Sequence, residues 1–172
     1  MKRVTAWVFL TGAAMAAAAL VWVRVAVHQP VSIMIDYPEE GTIFPPDYAA
    51  PTFLWRDPAE KAKVWVIHLG FADRSADIQV KTEGKLMRVG EIDPRCVAET
   101  NELPKLTPEQ SAAHTWTPDA GTWAKIKEHS RTSAAAITIT GLRNENSVQE
   151  LSRGNLTIRT AADPVGAYIN PQ

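Results

Sequence analysis

The residues of this chain that could do chemistry first gather in the stretch "PEEGTIFPPDYAAPTFLWRD", residues 38–57. Glu39 and Glu40 are adjacent there, Asp47 follows them, and Asp36 lies just before the stretch. Two carboxyl groups at a defined separation are what glycoside hydrolysis requires. The prolines around them lack an N–H donor and suit loops and edge strands, where acids are solvated. We therefore interpret these acids as turn residues, and keep Glu39 and Glu40 as a candidate contact for a metal ion or a sugar.

Cysteine and histidine offer a second set of reactive side chains. Cys96 is the only cysteine, so no disulfide can form within the chain. No known signature of a thiol nucleophile surrounds it, which favours a packing role, with an intermolecular disulfide as the alternative. His68, His114 and His129 lack the spacing of metal ligands. The sequence also has no G-x-S-x-G and no phosphate-binding glycine loop, so we predict no catalytic residue, no metal and no cofactor.

Four tryptophans follow the N-terminal region, and tryptophan rings can stack on sugars. Trp55 and Trp65 lie among alternating apolar residues, which predicts that both belong to a core. Trp116 stands between two threonines, in what we predict to be a loop, so it is the better candidate for an exposed contact. The binding surface predicted from the sequence therefore comprises Glu39, Glu40 and Trp116.

The N-terminal segment predicts a membrane helix. Residues 4–23 carry no charge, and a helix of this length reaches about 30 Å, the thickness of a bilayer's hydrocarbon core. Two basic residues precede it, which favours a retained signal anchor spanning from Val4 to Val23 with the rest of the chain outside. A signal peptide cleaved after Ala16 is the main alternative, and a buried core helix is the third.

Charge excludes one class of partner. The chain has 18 basic and 19 acidic residues, and three of the basic residues but none of the acidic ones precede residue 31. The remaining domain is therefore acidic overall and has no basic cluster. Because nucleic-acid binding depends on lysine and arginine that neutralise phosphates, we predict no nucleic-acid partner.

The rest of the chain alternates with the period of β-strands. Every second residue of the segment 31–37 is apolar or aromatic, and the segment 63–73 shows the same alternation most clearly. A hairpin is predicted around Glu83 and Gly84. Two further strands close the chain, with four side chains predicted to point inwards: Ile137, Ile139, Leu156 and Ile158.

Helix signals interrupt this pattern near the middle of the domain. Thr107 and Thr117 are each followed by proline, which predicts two helix starts with threonine as the N-cap. Short strands with frequent turns indicate an antiparallel β-sandwich. We therefore predict a sandwich domain at 31–162 with a helical insertion at about 104–130. Residues 1–30 form the anchor and a short linker, and residues 163–172 an exit linker.

Several phrases together resemble the N-terminal module of large bacterial envelope proteins, among them "KVWVIHLGFAD", "GEIDPRC", "LPKLTPEQ", "TWTPDAGTWAKIKEHS" and "SRGNLTIRTAADPVGA". In those proteins a fibronectin-III/immunoglobulin-like domain precedes a TolB-like or WD40-like β-propeller, in which a haem-attachment motif can occur. The resemblance covers nearly all of residues 31–168 and implies a sandwich; no enzymatic role follows from it. The propeller and the C-x-x-C-H motif are absent from this chain, so we expect a free-standing module or the front of a longer protein.

The expected function is binding rather than catalysis. We expect a single-pass protein of the bacterial inner membrane, held in lipid by its N-terminal helix, with the C-terminal domain facing the periplasm or the cell exterior. The domain would serve protein interaction or spacing, and its partner would be an envelope protein such as a β-propeller protein. The alternative is a carbohydrate-binding module that uses Trp116 with Glu39 and Glu40 on a glycan. An enzyme is the least favoured hypothesis.

Overall fold

The computed structural model describes residues 29–97 and 102–164, which form a mainly β structure with two sheets. The described strands are β1 (Val31–Ser32), β2 (Met34–Tyr37), β3 (Thr42–Phe44), β4 (Phe53–Arg56), β5 (Val64–Gly70), β6 (Ile78–Thr82), β7 (Lys85–Leu86), β8 (His114–Trp116), β9 (Ala135–Leu142) and β10 (Glu150–Thr160). The described helices are α1 (Pro108–Ser111), α2 (Ala120–His129) and a 3-10 turn at Pro94–Cys96.

The large sheet has the order β1-β10-β9-β5-β6, and β3 also pairs with β10. Strands β5, β9 and β10 are antiparallel neighbours, so their inward side chains form rows; Ile67 lies opposite Ile139, and Leu156 opposite Ile137. All four are essentially inaccessible to solvent. This confirms the alternation predicted for these strands, and each such side chain contributes about 1.5–3 kcal/mol by its burial.

The small sheet has the order β2-β4-β8-β7 and covers the other side of the core. Phe53 and Trp55 of β4 point inwards and are fully buried. They pack in one cluster with the inward side chains of the large sheet, which is consistent with the predicted β-sandwich. The central position of β8 in this sheet was not foreseen, because its three residues lie inside the region predicted as a helical insertion.

Of the two helix starts predicted from the sequence, the structure confirms one. Thr107 caps α1 as predicted: its hydroxyl accepts from the Gln110 N–H while the Gln110 side chain accepts from the Thr107 N–H. The second prediction was wrong, because Asp119 rather than Thr117 caps α2. The Asp119 carboxylate accepts hydrogen bonds from both the N–H and the hydroxyl of Thr122.

Two strands predicted as simple elements instead change sheets. The segment 31–37 divides at Ile33, so that β1 pairs with β10 and β2 pairs with β4. Val31, predicted to point inwards, is 43% exposed as a result. The predicted hairpin at Gly84 is likewise a crossing from β6 in the large sheet to β7 in the small one. Gly84 has φ +59°, and a Cβ there would lie 2.9 Å from the Trp65 ring, so only glycine fits this bend.

One end of the sandwich is closed by Asp57, which directly follows β4. Its carboxylate accepts from the Trp65 indole N–H at 2.8 Å and from the Ser152 hydroxyl at 2.5 Å. A third bond comes from the backbone N–H of Ala59 at 2.8 Å. Because Trp65 lies on β5 and Ser152 on β10, this single side chain joins the end of the small sheet to two strands of the large one.

No helix within residues 29–97 and 102–164 is long and apolar enough to cross a membrane. The predicted anchor from Val4 to Val23 lies outside the described residues. Most of the predicted exit linker, 163–172, lies outside them as well. The structure therefore describes the predicted sandwich domain and leaves the anchor as a prediction from the sequence.

The Asp57 junction leads to the first testable prediction. A Cβ at Gly141 would lie 2.6 Å from the Asp57 carboxylate and would clash with the Ser152 hydroxyl. We expect Gly141→Ala to force these two groups apart and to lower the free energy of unfolding by about 1–3 kcal/mol. Urea unfolding followed by tryptophan fluorescence measures the change. Gly90→Ala is the matched control, since nothing lies within 4 Å of its added Cβ, and equal stability of the two variants would contradict the prediction.

Candidate binding surface

The structure gives Glu40 an internal role. Its carboxylate accepts from the backbone N–H of Thr157 at 2.9 Å and from the Thr157 hydroxyl at 2.5 Å. Thr157 lies on β10, between the stretches of that strand that pair with β1 and with β3. Glu40 therefore supplies the acceptor that a neighbouring strand would otherwise provide. The adjacent Glu39 is exposed, and among the described residues only Thr42 engages it, through hydrogen bonds from its N–H and hydroxyl to the Glu39 backbone carbonyl.

The structure places Trp116 on a strand, so its predicted loop position was wrong. Trp116 ends β8, opposite Phe53 of β4, and the two rings lie with centroids 5.3 Å apart. Its side chain is half-buried and packs against the core. Glu40 is attached to the large sheet while Trp116 belongs to the small one, so the structure does not assemble the predicted trio into one pocket.

The second prediction concerns Glu40, for which the adjacent Glu39 serves as a control. Glu40→Ala leaves the Thr157 N–H without this acceptor, and we expect it to lower the free energy of unfolding by about 1 kcal/mol. Glu39→Ala removes an exposed side chain with no hydrogen bond in the described structure, and should change stability by less than about 0.5 kcal/mol. Urea unfolding distinguishes the two variants. Equal effects would show that the carboxylate does not cap this edge.

One cluster resembles a nucleophile with its base. Asp73 accepts from the Ser75 hydroxyl, and the Nδ1 atom of His129 lies 2.8 Å from both Ser75 Oγ and Asp73 Oδ2. In a serine nucleophile site, serine and aspartate contact opposite nitrogens of the histidine ring. Here both contact the same nitrogen, so the ring cannot pass a proton from one to the other. The cluster instead ties the loop after β5 to the last residue of α2.

The same cluster strongly favours the ionised form of Asp73. Hydrogen bonds from the Ser75 hydroxyl and its backbone N–H, together with His129, lower the pKa of Asp73 from 3.8 to about 2. These bonds therefore stabilise the folded state above the ordinary pKa. Their contribution is lost as the pH falls through the interval between the two values.

The third prediction tests this pH dependence. Between about pH 4 and about pH 2, the melting temperature of the native protein should fall more steeply than that of Asp73→Asn, which has no carboxylate to protonate. Differential scanning calorimetry across this range measures both slopes. Asp47→Asn, a change at an exposed acid, should keep the native slope. Parallel curves for the native protein and Asp73→Asn would contradict the assignment.

The remaining reactive residues stay separate. Cys96 is exposed at the 3-10 turn, and His68 lies on the outer face of β5 beside Asp77. His114 points into the aromatic cluster, where its ring centroid lies 4.1 Å from that of Trp65 at a tilt of 39° and its Nδ1 contacts the Gly84 carbonyl. Within the described part of the chain no group of three or more histidine, cysteine or acidic side chains could hold a metal ion.

The outer face of the small sheet carries a groove of about 870 Å³. We call it the small-sheet groove, and its lining residues come from β4, β7, β8 and the segments next to them: Thr52, Leu54, Lys85, Leu86, Met87, Arg88, Thr115 and Thr117. Leu54 lies opposite Thr115, which lies opposite Lys85, so this row crosses three strands. A neighbouring pocket of about 210 Å³ shares Leu54 and Met87 with it, and the two form one concave surface.

The groove combines apolar side chains with positive charge. Leu54 and Met87 are half-buried in it. Leu86 is 52% exposed, but it lies in register with His114 and Trp55, so its side chain points to the inner face at the edge of the sheet. Lys85 and Arg88 are exposed, and neither forms an ion pair with any described residue. The threonine hydroxyls are satisfied within the protein, since Thr52 bonds to Thr117 and Thr115 donates to the Lys85 carbonyl. The groups left open to a partner are therefore the apolar side chains and the two cations.

The sequence did not identify this surface. Its residues come from three separate segments, and the shortness of β7 and β8 leaves no periodic signal that would reveal which side chains face outwards.

Comparison with protein-family models, with curated proteins and with solved structures finds no match to this chain. The resemblance to envelope modules therefore stays a prediction from the sequence phrases that suggested it. The argument for function accordingly depends on the geometry of the domain.

Proposed function

We propose that this chain is a non-catalytic, membrane-anchored module of the bacterial envelope that binds another protein through the small-sheet groove. The observation that carries the proposal is the groove itself, about 870 Å³, with Leu54 and Met87 half-buried in it beside the exposed Lys85. An apolar surface rimmed by polar side chains is typical of a protein–protein interface or a binding groove. Its burial would release the same kind of free energy that holds the core together.

The proposed location follows from the N-terminal segment. The uncharged residues 4–23 are long enough to span a bilayer, and the basic residues before them favour an orientation with the domain outside the cytoplasm. The predicted span ends at Val23 and β1 begins at Val31, so a linker of a few residues would hold the domain close to the membrane surface. A fibronectin-III/immunoglobulin-like sandwich in this position suits a spacer or an adaptor for an envelope partner, such as a β-propeller protein.

The geometry of the reactive side chains supports binding over catalysis. Glu40 is occupied by Thr157, and Asp73, Ser75 and His129 contact one another in an arrangement that cannot relay a proton. These groups are used to join segments of the fold. The small-sheet groove, by contrast, presents side chains that the fold does not use.

The fourth prediction tests the proposal in the native bacterium. A photo-crosslinking amino acid placed at Met87 of the full-length protein should form an adduct with one envelope protein, since Met87 lines both parts of the groove. The same amino acid at Gln79, on the outer face of the large sheet, is the matched control and should form none. Mass spectrometry identifies the adduct, and fractionation of the same cells should recover it in the membrane with the N-terminal residues intact.

The outcomes of this experiment separate the parts of the proposal. Adducts at Gln79 but not at Met87, or at neither position, would contradict the groove as the binding surface. A soluble product that lacks the first residues would contradict the anchor, because a cleaved signal peptide leaves no helix in the membrane.

Glycan binding is the second candidate, but the surface that would bind the glycan is not the predicted one of Glu39, Glu40 and Trp116. A groove of about 420 Å³ on the outer face of the large sheet is lined by hydrogen-bonding side chains, among them His68, Gln79, Thr138 and Arg153. Such groups suit sugar hydroxyls. No tryptophan, tyrosine or phenylalanine lines this groove, so it lacks the stacking surface that the sequence analysis required, and we rank it below protein binding.

A further inference from the structure

We infer that the end of the sandwich closed by Asp57 rests on the surface of the lipid bilayer, where its apolar side chains contact the headgroup region. This inference rests on the proposed anchor and adds a second contact between the protein and the membrane. We call this part of the domain the closed end; the start of β1 and the connections 57–63, 83–84 and 143–149 form it.

The closed end is the part of the domain nearest to the predicted span. β1 begins there, since Val31 lies opposite Ser152 near the start of β10. Only residues 24–30 separate Val31 from the end of the predicted span, and a chain of that length reaches at most about 25 Å. The opposite end of the large sheet, where Phe44 lies opposite Thr160, is about 25 Å farther along β10. The tether therefore brings the closed end to the bilayer first.

Two apolar features are exposed at the closed end. A pocket of about 310 Å³ is lined mainly by the apolar residues Val31, Pro58, Ala59 and Leu151. Val148, in the connection between β9 and β10, is 98% exposed. A side chain so exposed adds nothing to the core, and moving a valine wholly out of water contributes about 1.5–3 kcal/mol. Both features would gain free energy from an apolar surface placed against this end.

The charges at the closed end balance. Its connections carry three exposed basic and three exposed acidic side chains, namely Lys61, Lys63, Arg143, Glu60, Glu83 and Glu145. None of the six forms an ion pair with a described residue. Attraction to anionic lipid requires a cluster of basic residues, which these connections do not supply. The contact should therefore depend on apolar burial and not on the charge of the lipid.

The tether also favours the bilayer over a diffusing partner. A short linker holds the closed end at an effective concentration on the order of 1 mM relative to the membrane surface. At that concentration a contact worth about 4 kcal/mol is half populated, and one or two apolar side chains supply this amount. A partner that diffuses at about 1 μM would need about 8 kcal/mol from the same small surface.

The fifth prediction measures this contact with full-length protein in phosphatidylcholine vesicles, part of whose lipid carries a nitroxide at the headgroup. A fluorescent probe is attached to Glu60→Cys, Val148→Cys or Ile43→Cys, each in a Cys96→Ser background because Cys96 is exposed. Interfacial apolar groups lie within about 5–10 Å of the headgroup boundary, so the probes at Glu60 and Val148 should be quenched about twofold or more. Ile43 is also apolar and is 60% exposed, but it lies at the opposite end, and its probe should keep its emission.

Two substitutions test the chemistry of the contact while the probe stays at Glu60. Val148→Asp should remove about half of the quenching or more, because a carboxylate is costly to take out of water. Asn146→Asp adds the same charge to the same connection without removing an apolar group, and should keep the quenching. Both side chains are exposed, so urea unfolding should give both variants the native midpoint. Replacing part of the phosphatidylcholine by phosphatidylglycerol should leave the quenching unchanged.

The possible results are distinct. Protein that floats with the vesicles in a density gradient while no probe is quenched would leave the anchor standing and overturn the inference. Equal quenching at Ile43 would overturn the closed end as the contact surface. Equal loss in Val148→Asp and Asn146→Asp, or quenching that requires phosphatidylglycerol, would show an effect of charge and would overturn the apolar contact. Protein that fails to float with the vesicles would contradict the anchor, and with it the proposed function.

Discussion

The carboxylate of Asp57 is the constraint on which the closed end of this fold depends. It follows β4 in the small sheet and accepts hydrogen bonds from Trp65 on β5 and Ser152 on β10 in the large sheet. Hydrophobic packing between two sheets is not directional, so it leaves their relative register open. Hydrogen bonds from two fixed donors to one carboxylate set that register. Gly141 supplies the space, because any side chain there would occupy the position of this contact.

The bond to Trp65 also fixes the aromatic cluster between the sheets. Trp65 stands edge-on to Trp55, with ring centroids 5.9 Å apart, and packs against His114. Trp55 is fully buried, and its indole N–H has no hydrogen-bond partner among the described residues. Such an unpaired donor costs about 1–3 kcal/mol, whereas burying a ring of 150–250 Å² contributes about 4–6 kcal/mol. Packing outweighs the lost bond, so the cluster tolerates the unpaired group.

How far the sequence predicts the fold depends on the length of each element. Strands β5, β9 and β10 are long enough for alternation to appear, and their inward residues were identified correctly. β7 and β8 have two and three residues, too few for a periodic pattern to appear, so the sequence did not reveal the complete small sheet. The partners of Glu40 were equally hidden, because Thr157 lies 117 residues away in the sequence. Local pattern reports which residues face inwards, but not which distant strand they meet.

The contrast between the two outer faces explains why the small sheet is the better binding surface. On the large sheet the charged groups around the groove already contact one another, as in Arg153 with Glu150 and His68 with Asp77. A partner there would have to replace existing contacts, which leaves little net gain. On the small sheet Lys85 and Arg88 form no ion pair with a described residue and have no such contacts to lose. A partner that covers them adds interactions without breaking any in the domain, and this difference favours recognition on the small sheet.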